Sequence, residues 1–235
     1  GGVVAIDLGE EAPRKAGRTM YQNEGGEVVP SRSRVGHLAS GVPGTVAGLL
    51  HALEKYGSMS RAKVLQPAIE LAEEGFRLSA EQAGRLNAHR SVLMQYPGSR
   101  QYFTMENGER YREGERFVQR DLAATLRRIR DEGRAGFYRG RTAELIVEEM
   151  ERGGGLIDGK DLRSYHVVER EPVTGTYRGR RIHTMPPPSS GVAIIQLLNA
   201  MKPYDLQRMG FRASGTVHLM GEAMRRVYAD RAKWL

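Results

Sequence analysis

Residues 185–198 read MPPPSSGVAIIQLL, a proline run followed directly by an apolar segment. Each proline fixes φ and lacks a backbone donor, and the residue before a proline is restricted to extended geometry. The chain is therefore predicted to arrive extended and to enter a helix at about residue 190. Ser189 or Ser190 is expected to accept hydrogen bonds from the first turn of that helix. On local physics the segment is either a rigid elbow or a device that places backbone groups near a site, and the motif alone does not decide between them.

Around this segment, the spacing of apolar residues predicts an α+β chain that is mainly helical. Helices are expected at 46–53, 64–72, 122–129, 145–150 and 217–228, and a further one after a capping box of Ser79 and Gln82. Glycines are expected to end three of them: Gly57 the first, Gly133 the helix at 122–129, and the triplet 153–155 the helix at 145–150. Pro67 is expected to cause a kink or a late start in the helix at 64–72. Strands are expected at 3–6, 172–177 and 181–185, the last two as a hairpin around 178–180. The polar residues 96–115 are interpreted as a long surface excursion.

Composition narrows the class of partner. The chain has 235 residues and a net charge of +8. It contains no cysteine, and this absence excludes disulfides, thiolate metal sites and a cysteine nucleophile. The basic residues are spread among acidic ones, and no arginine run is flanked by stacking aromatics, so nucleic acid is not expected as a partner. A basic module that binds an acidic partner without catalysis stays an alternative. No apolar stretch reaches 18 residues, so no membrane span is expected in this chain.

Common catalytic patterns are absent from the sequence. There is no Gly-x-Ser-x-Gly elbow, no Walker loop and no His-Glu-x-x-His. The six histidines lack ligand spacing, and neither a metal nor a cofactor is expected. The glycine triplet at 153–155 follows a predicted helix instead of opening one, which disfavours a phosphate cradle. Glu148, Glu149 and Glu151 are interpreted as a solvated helix face.

Several longer motifs occur in a fixed order along the chain. They are HLASGVPGTVAG at 37–48, QPA at 66–68, GGLI at 154–157, DL at 161–162 with Tyr165, VER at 168–170, YRG at 177–179, MPPPSSG at 185–191 and ADR at 229–231. In this order they resemble the large subunit of the gamma-glutamyltranspeptidases over essentially the whole chain. The chain starts as a strand and stops within a helical pattern. Residues 1–235 are therefore expected to be a partial large-subunit domain, truncated at both ends, with the small subunit absent.

The resemblance implies part of the large subunit of an αββα N-terminal-nucleophile hydrolase. In this family one precursor cuts itself, and the new N-terminal threonine of the small subunit attacks the substrate with its own α-amine as base. A γ-glutamyl group from an amide such as glutathione then passes to water or to an amine. The nucleophile and the oxyanion donors would lie beyond Leu235, so this chain has no catalytic residue and is expected to be inactive alone. The small subunit is the expected partner, and the resemblance suggests a periplasmic or secreted location.

One site residue of the family should fall inside this chain. The family pattern Asp-(Phe/Tyr)-Arg-Glu-x-Ala-Pro supplies an arginine that holds the α-carboxylate of the glutamyl group, and residues 7–13 here read DLGEEAP. Gly9 stands where the arginine belongs, which removes a charge-assisted contact of about 2–4 kcal/mol. Either Arg14 or Arg18 replaces it, or the acyl group carries no α-carboxylate there, as in the cephalosporin-acylase-like branch. We favour altered acyl specificity.

Overall fold

The structure is a computed structural model that describes residues 2–105 and 108–234. The chain divides into two compact units. The smaller unit contains the residues up to Gly9 together with those from His166 onward, and the larger unit contains Glu10–Tyr165. The chain thus leaves the smaller unit after Gly9 and returns to it at His166.

Helices predominate in the described residues. The α-helices are α1 Thr45–Tyr56, α2 Arg61–Glu74, α3 Ala80–Ala88, α4 Arg90–Leu93, α5 Pro97–Phe103, α6 Arg120–Glu132, α7 Ala135–Tyr138, α8 Gly140–Gly153, α9 Gly159–Ser164, α10 Gly191–Met201, α11 Leu206–Met209 and α12 Ser214–Trp234. The strands are β1 Ala5–Asp7, β2 Phe76–Arg77, β3 Arg116–Phe117, β4 Val168–Arg170, β5 Val173–Tyr177 and β6 Arg180–Thr184, and 3₁₀ turns lie at Pro30–Ser33 and His37–Ala39. The predicted α+β, mainly helical class is confirmed.

The smaller unit contains two antiparallel strand pairs, the two long helices α10 and α12, and the short helix α11. β1 pairs with β4, so that Ala5 lies opposite Arg170 and Asp7 lies opposite Val168. β5 and β6 form the predicted hairpin. Helix α10 packs on this hairpin, and α12 packs on α10. The β1–β4 pair brings two segments that are far apart in sequence to one place.

The proline elbow joins β6 to α10. β6 ends at Thr184 and α10 starts at Gly191, which confirms the predicted helix start near residue 190. The predicted serine cap is wrong for Ser190, which occupies the N-cap position with φ −84° and ψ 15° and whose side chain makes no capping bond. A capping side chain reaches the next turn from extended backbone, and Ser190 is not extended. At Gly191 a Cβ would stand 2.1 Å from the carbonyl oxygen of Met185, so the elbow requires glycine there.

Local signals correctly predict where several helices of the larger unit begin and end. Ser79 and Gln82 form the predicted capping box at the start of α3. Gly57 and Gly133 end α1 and α6 as predicted, and each donates its N–H to a carbonyl one turn back. Pro67 lies inside a continuous α2, so the alternative of a late helix start is wrong.

The surface excursion predicted at 96–115 contains a helix. Helix α5 occupies Pro97–Phe103, where the fixed φ of Pro97 suits the first helical position. Of the described residues in this range only Thr104 is buried, which agrees with a surface location. Residues 106 and 107 lie outside the described residues. On α6, which begins two residues before the predicted 122–129, Leu122 is exposed and its smaller neighbour Ala123 is fully buried.

A buried tyrosine explains the motif at 37–48. Tyr138 on α7 is fully buried and donates its hydroxyl proton to the carbonyl oxygen of Pro43 at 2.7 Å. The same hydroxyl oxygen accepts the backbone N–H of Ala47 at 3.2 Å, and the ring stacks on that of Tyr165. The bond to Ala47 satisfies one of the donors left open at the start of α1, where Gly44 provides no side-chain cap. The motif is therefore held by packing in the larger unit.

Candidate substrate-carboxylate site

The site that the sequence singles out begins at the end of β1. Asp7 accepts a bond at Oδ2 from Nε of Arg170 on β4, at 2.8 Å. Asp7 lies opposite Val168, and Arg170 follows Val168 by two residues on β4. Side chains two residues apart on a strand share a face, so Asp7 and Arg170 lie on the same face of the strand pair. The hydrogen bond from Arg170 is the main reason that the pKa of the Asp7 carboxyl lies below its ordinary value. Asp7 is therefore an anion held by the neighbouring strand.

Gly9 is bound to the other oxygen of the same carboxylate. Its backbone N–H donates to Oδ1 of Asp7 at 3.3 Å. The φ of Gly9 is outside the left-handed region, and a Cβ built there would meet only Oδ1 of Asp7, at an ordinary contact distance of 3.5 Å. Gly9 is also exposed. Neither backbone conformation nor crowding within this unit demands glycine at position 9, so an arginine side chain can start from this backbone.

Arg14 is engaged within the larger unit. Its backbone N–H and its Nε each donate to Oδ1 of Asp161 at 3.1 Å, and its Nη2 donates to Oδ1 of Asp158 at 3.4 Å. The side chain of Asp161 is 1% exposed, so withdrawing Arg14 would leave a buried carboxylate without its cationic partner. Arg18 is exposed in a turn of the same unit.

The two acids that hold Arg14 also cap α9. Asp158 and Asp161 form a capping box at the start of this helix. The pKa of Asp158 is lowered to about 2, chiefly by the backbone N–H of Asp161, with the N–H of Lys160 and the ammonium of Lys15 adding to the effect. Arg14 and Lys15 therefore both pair with Asp158, whose carboxyl stays ionised in neutral solution.

A second polar cluster of the larger unit was not identified from sequence. Nε2 of His37 lies 2.7 Å from Oε1 of Glu149, and Arg152 donates to both oxygens of the same carboxylate. These bonds lower the pKa of Glu149, with the bond from Arg152 as the larger cause. The side chain of Glu149 is 41% exposed, in agreement with the interpretation of a solvated face, but it also binds His37, which is distant in sequence. His37 and Glu149 border a cavity of about 430 Å³.

The role of Arg170 also escapes sequence reasoning. The motif at 168–170 is visible in the sequence, but a three-residue strand carries too little alternation to be recognised, and its pairing partner lies 163 residues away. Among residues 2–105 and 108–234, no cluster of histidine and acidic side chains has the grouping of a metal site. Within the same residues, every helix is too short or too polar to cross a lipid bilayer.

Known proteins resemble this chain in fold and in sequence. A solved structure of gamma-glutamyltranspeptidase from Helicobacter pylori matches 99% of the chain and 67% of its own length, with a TM-score of 0.95 and 46% identity. The glutathione hydrolase proenzyme of Escherichia coli strain K12 is 43% identical over 100% of the chain, and Acylase ACY 1 proenzyme of Pseudomonas sp. strain V22 is 39% identical over 97%. The chain spans only 41% and 42% of these two curated relatives.

The fold is that of the N-terminal-nucleophile hydrolases. Within that class the family model described as "Gamma-glutamyltranspeptidase" matches residues 1–235. The chain belongs to the gamma-glutamyltranspeptidase family, as its ordered motifs predict.

Proposed function

We propose that this chain is the large-subunit portion of a self-processing enzyme that transfers or hydrolyses acyl groups from amides. Its nucleophile would be the N-terminal threonine of a small subunit, outside this chain. The likeness to a glutathione hydrolase proenzyme and to an acylase proenzyme over nearly the whole chain supports this proposal. The chain alone would be inactive, because that threonine and the α-amine that takes the proton of its hydroxyl would both belong to the small subunit.

An exposed apolar face on α12 supports the proposal that a partner subunit binds this chain. Val217, Met220, Met224 and Tyr228 recur three or four residues apart and are all exposed, whereas the helix buries Ala223 and Val227. Such a stripe is typical of a helix face that packs against another element. The small subunit of the same precursor is the proposed occupant.

The residue at position 9 is the basis for a proposal about which acyl groups the enzyme accepts. A γ-glutamyl group presents an α-carboxylate, and a planar guanidinium is the side chain best suited to hold it. Gly9 offers no such group, while Arg14 is already bound to Asp158 and Asp161. We therefore propose an acyl group without an α-carboxylate at this place, as in the acylase branch. Retention of γ-glutamyl substrates through Arg14 or Arg18 is the alternative.

The charge distribution weakens the proposal of a non-catalytic basic module. Several arginines form ion pairs within the chain, among them Arg127 with Glu73 and Arg130 with Asp131. Each pair places a carboxylate directly beside a guanidinium, so these arginines do not form a concentrated basic patch. The net charge of +8 is therefore a poor measure of a binding surface.

The test uses the full-length precursor that contains this chain. We expect it to separate into two polypeptides, with threonine as the first residue of the smaller one in N-terminal sequencing. We expect the product to release p-nitroaniline from an acyl-p-nitroanilide, and a threonine-to-alanine variant to do neither. A precursor that separates but hydrolyses no acyl anilide would instead indicate a non-catalytic relative.

A further inference from the structure

One carboxylate links the neighbouring strand to the backbone of position 9. Oδ2 of Asp7 is held by Nε of Arg170, and Oδ1 of Asp7 holds the N–H of Gly9. All three residues belong to the smaller unit. Arg170 is itself placed by the backbone pairing of β4 with β1. The orientation of the backbone at position 9 therefore depends on a chain of contacts that starts on β4.

We propose that Asp7 and Arg170 are positioning residues that fix the backbone at position 9, and with it the direction in which a side chain introduced there would leave. The inference rests on the proposed function, because position 9 matters only if it faces the part of the acyl group that bears the α-carboxylate in γ-glutamyl substrates. With glycine at this position the pair has no side chain to aim. With arginine there, the same pair sets where the guanidinium lies.

The strength of the Asp7–Arg170 pair suits this role. The side chain of Asp7 is 20% exposed and that of Arg170 is 40% exposed, so the pair is less screened than one in full solvent. An ionised acceptor makes both of its hydrogen bonds charge-assisted, and the bond from Arg170, at 2.8 Å, is shorter than the bond from the Gly9 N–H, at 3.3 Å. Two anchors on one carboxylate also restrict its rotation. A shift of about 1 Å in a substrate-binding group can lower a rate by about 100-fold.

The proposal predicts that the effect of Arg170 depends on the residue at position 9. We would compare Gly9→Arg alone with Gly9→Arg combined with Arg170→Gln, Arg170→Lys or Asp7→Asn, all in the full-length precursor. The control is Arg225→Gln, which breaks an exposed ion pair with Glu222 in the same unit. The probes are γ-glutamyl-p-nitroanilide and 4-aminobutyryl-p-nitroanilide, which differ only in the α-carboxylate.

In the Gly9→Arg background, Arg170→Gln is expected to raise KM for γ-glutamyl-p-nitroanilide by about tenfold or more. The kcat for this probe and both constants for the aminobutyryl probe should change by less than about twofold, and Arg170→Lys should restore part of the loss. If Arg170 had a purely structural role, Arg170→Gln would lower activity on both probes equally, in the wild-type background and in the Gly9→Arg background. That result, or no effect of Arg170→Gln, would overturn the proposal.

Amide hydrogen exchange tests the positioning contact independently of activity. We expect Arg170→Gln to speed exchange of the Gly9 N–H by about fivefold or more, because a loosened Asp7 carboxylate protects this amide less. Arg225→Gln should leave that rate unchanged. An unchanged Gly9 rate in Arg170→Gln would refute the contact even in an active enzyme. An inactive precursor with faster exchange would refute the proposed function and leave the contact supported.

Discussion

The imidazole ring of His37 lies directly against the backbone of Gly153. A Cβ built on Gly153 would stand 2.2 Å from Nδ1 and Cε1 of His37, closer than any side chain can approach. The φ of Gly153 is outside the left-handed region. Glycine is therefore required at position 153 because the histidine ring leaves no room for a side chain, not because of the backbone conformation. The ring is also fixed at Nε2 by Glu149. The first residue of the 37–48 motif and the glycine triplet thus form one packing contact.

This contact predicts a coupled effect on stability. Gly153→Ala should lower the free energy of unfolding by about 1–3 kcal/mol, because the new methyl overlaps the ring. In a His37→Ala background the same change should cost less than about 0.5 kcal/mol, since the obstacle is gone. Urea unfolding of the four proteins in this cycle gives the coupling energy. Equal costs in the two backgrounds would show that the ring does not determine the residue at 153.

The proline elbow predicts a second steric effect. Gly191→Ala should destabilise the protein by about 2–3 kcal/mol, because its Cβ would meet the carbonyl oxygen of Met185 and Oγ1 of Thr184. Gly221→Ala on α12 is the matched control, since a Cβ there meets no atom within 4 Å. That control should be neutral or stabilising by up to about 1 kcal/mol. A similar loss in thermal unfolding for both variants would contradict the steric account of the elbow.

Acid should weaken the larger unit through Asp158. Its folded-state pKa of about 2 lies below the ordinary value of 3.8, so its contribution to stability is complete above about pH 4 and is lost as the pH falls toward 2. Asp158→Asn keeps a side chain that can cap α9 but removes the charge. Its unfolding free energy should fall less steeply than that of the wild type between about pH 4 and pH 2. Parallel curves in urea unfolding across this range would show that Asp158 is not the sensitive group.

Sequence reasoning succeeds where the determining contacts are local. The capping box of Ser79 and Gln82 and the glycines that end α1 and α6 depend on residues within one turn, and they are found as predicted. The hairpin of β5 and β6 is likewise set by neighbouring residues. The ordered motifs predict the family, and the family model confirms it over residues 1–235.

Sequence reasoning fails where burial or pairing is decided far along the chain. Leu122 is apolar but exposed, because packing selects the smaller Ala123 on this helix. The local sequence around Glu149 does not reveal its hydrogen bond to His37. The partner of Asp7 is Arg170, on a strand too short to predict. Position 9 is found from sequence only by comparison with the family pattern, and the structure adds that glycine is not required there.

The most direct measurement compares wild type, Gly9→Arg and Gly9→Gln in the full-length precursor. The quantity is the ratio of kcat/KM for γ-glutamyl-p-nitroanilide to that for 4-aminobutyryl-p-nitroanilide. Gly9→Arg should raise this ratio by about 30-fold or more, since a charge-assisted contact of about 2 kcal/mol or more is restored, while uncharged Gly9→Gln should raise it far less. Glutathione hydrolysis should rise in the same order. If the wild type already hydrolyses glutathione and prefers the γ-glutamyl probe as strongly as Gly9→Arg does, the account of altered acyl specificity is wrong.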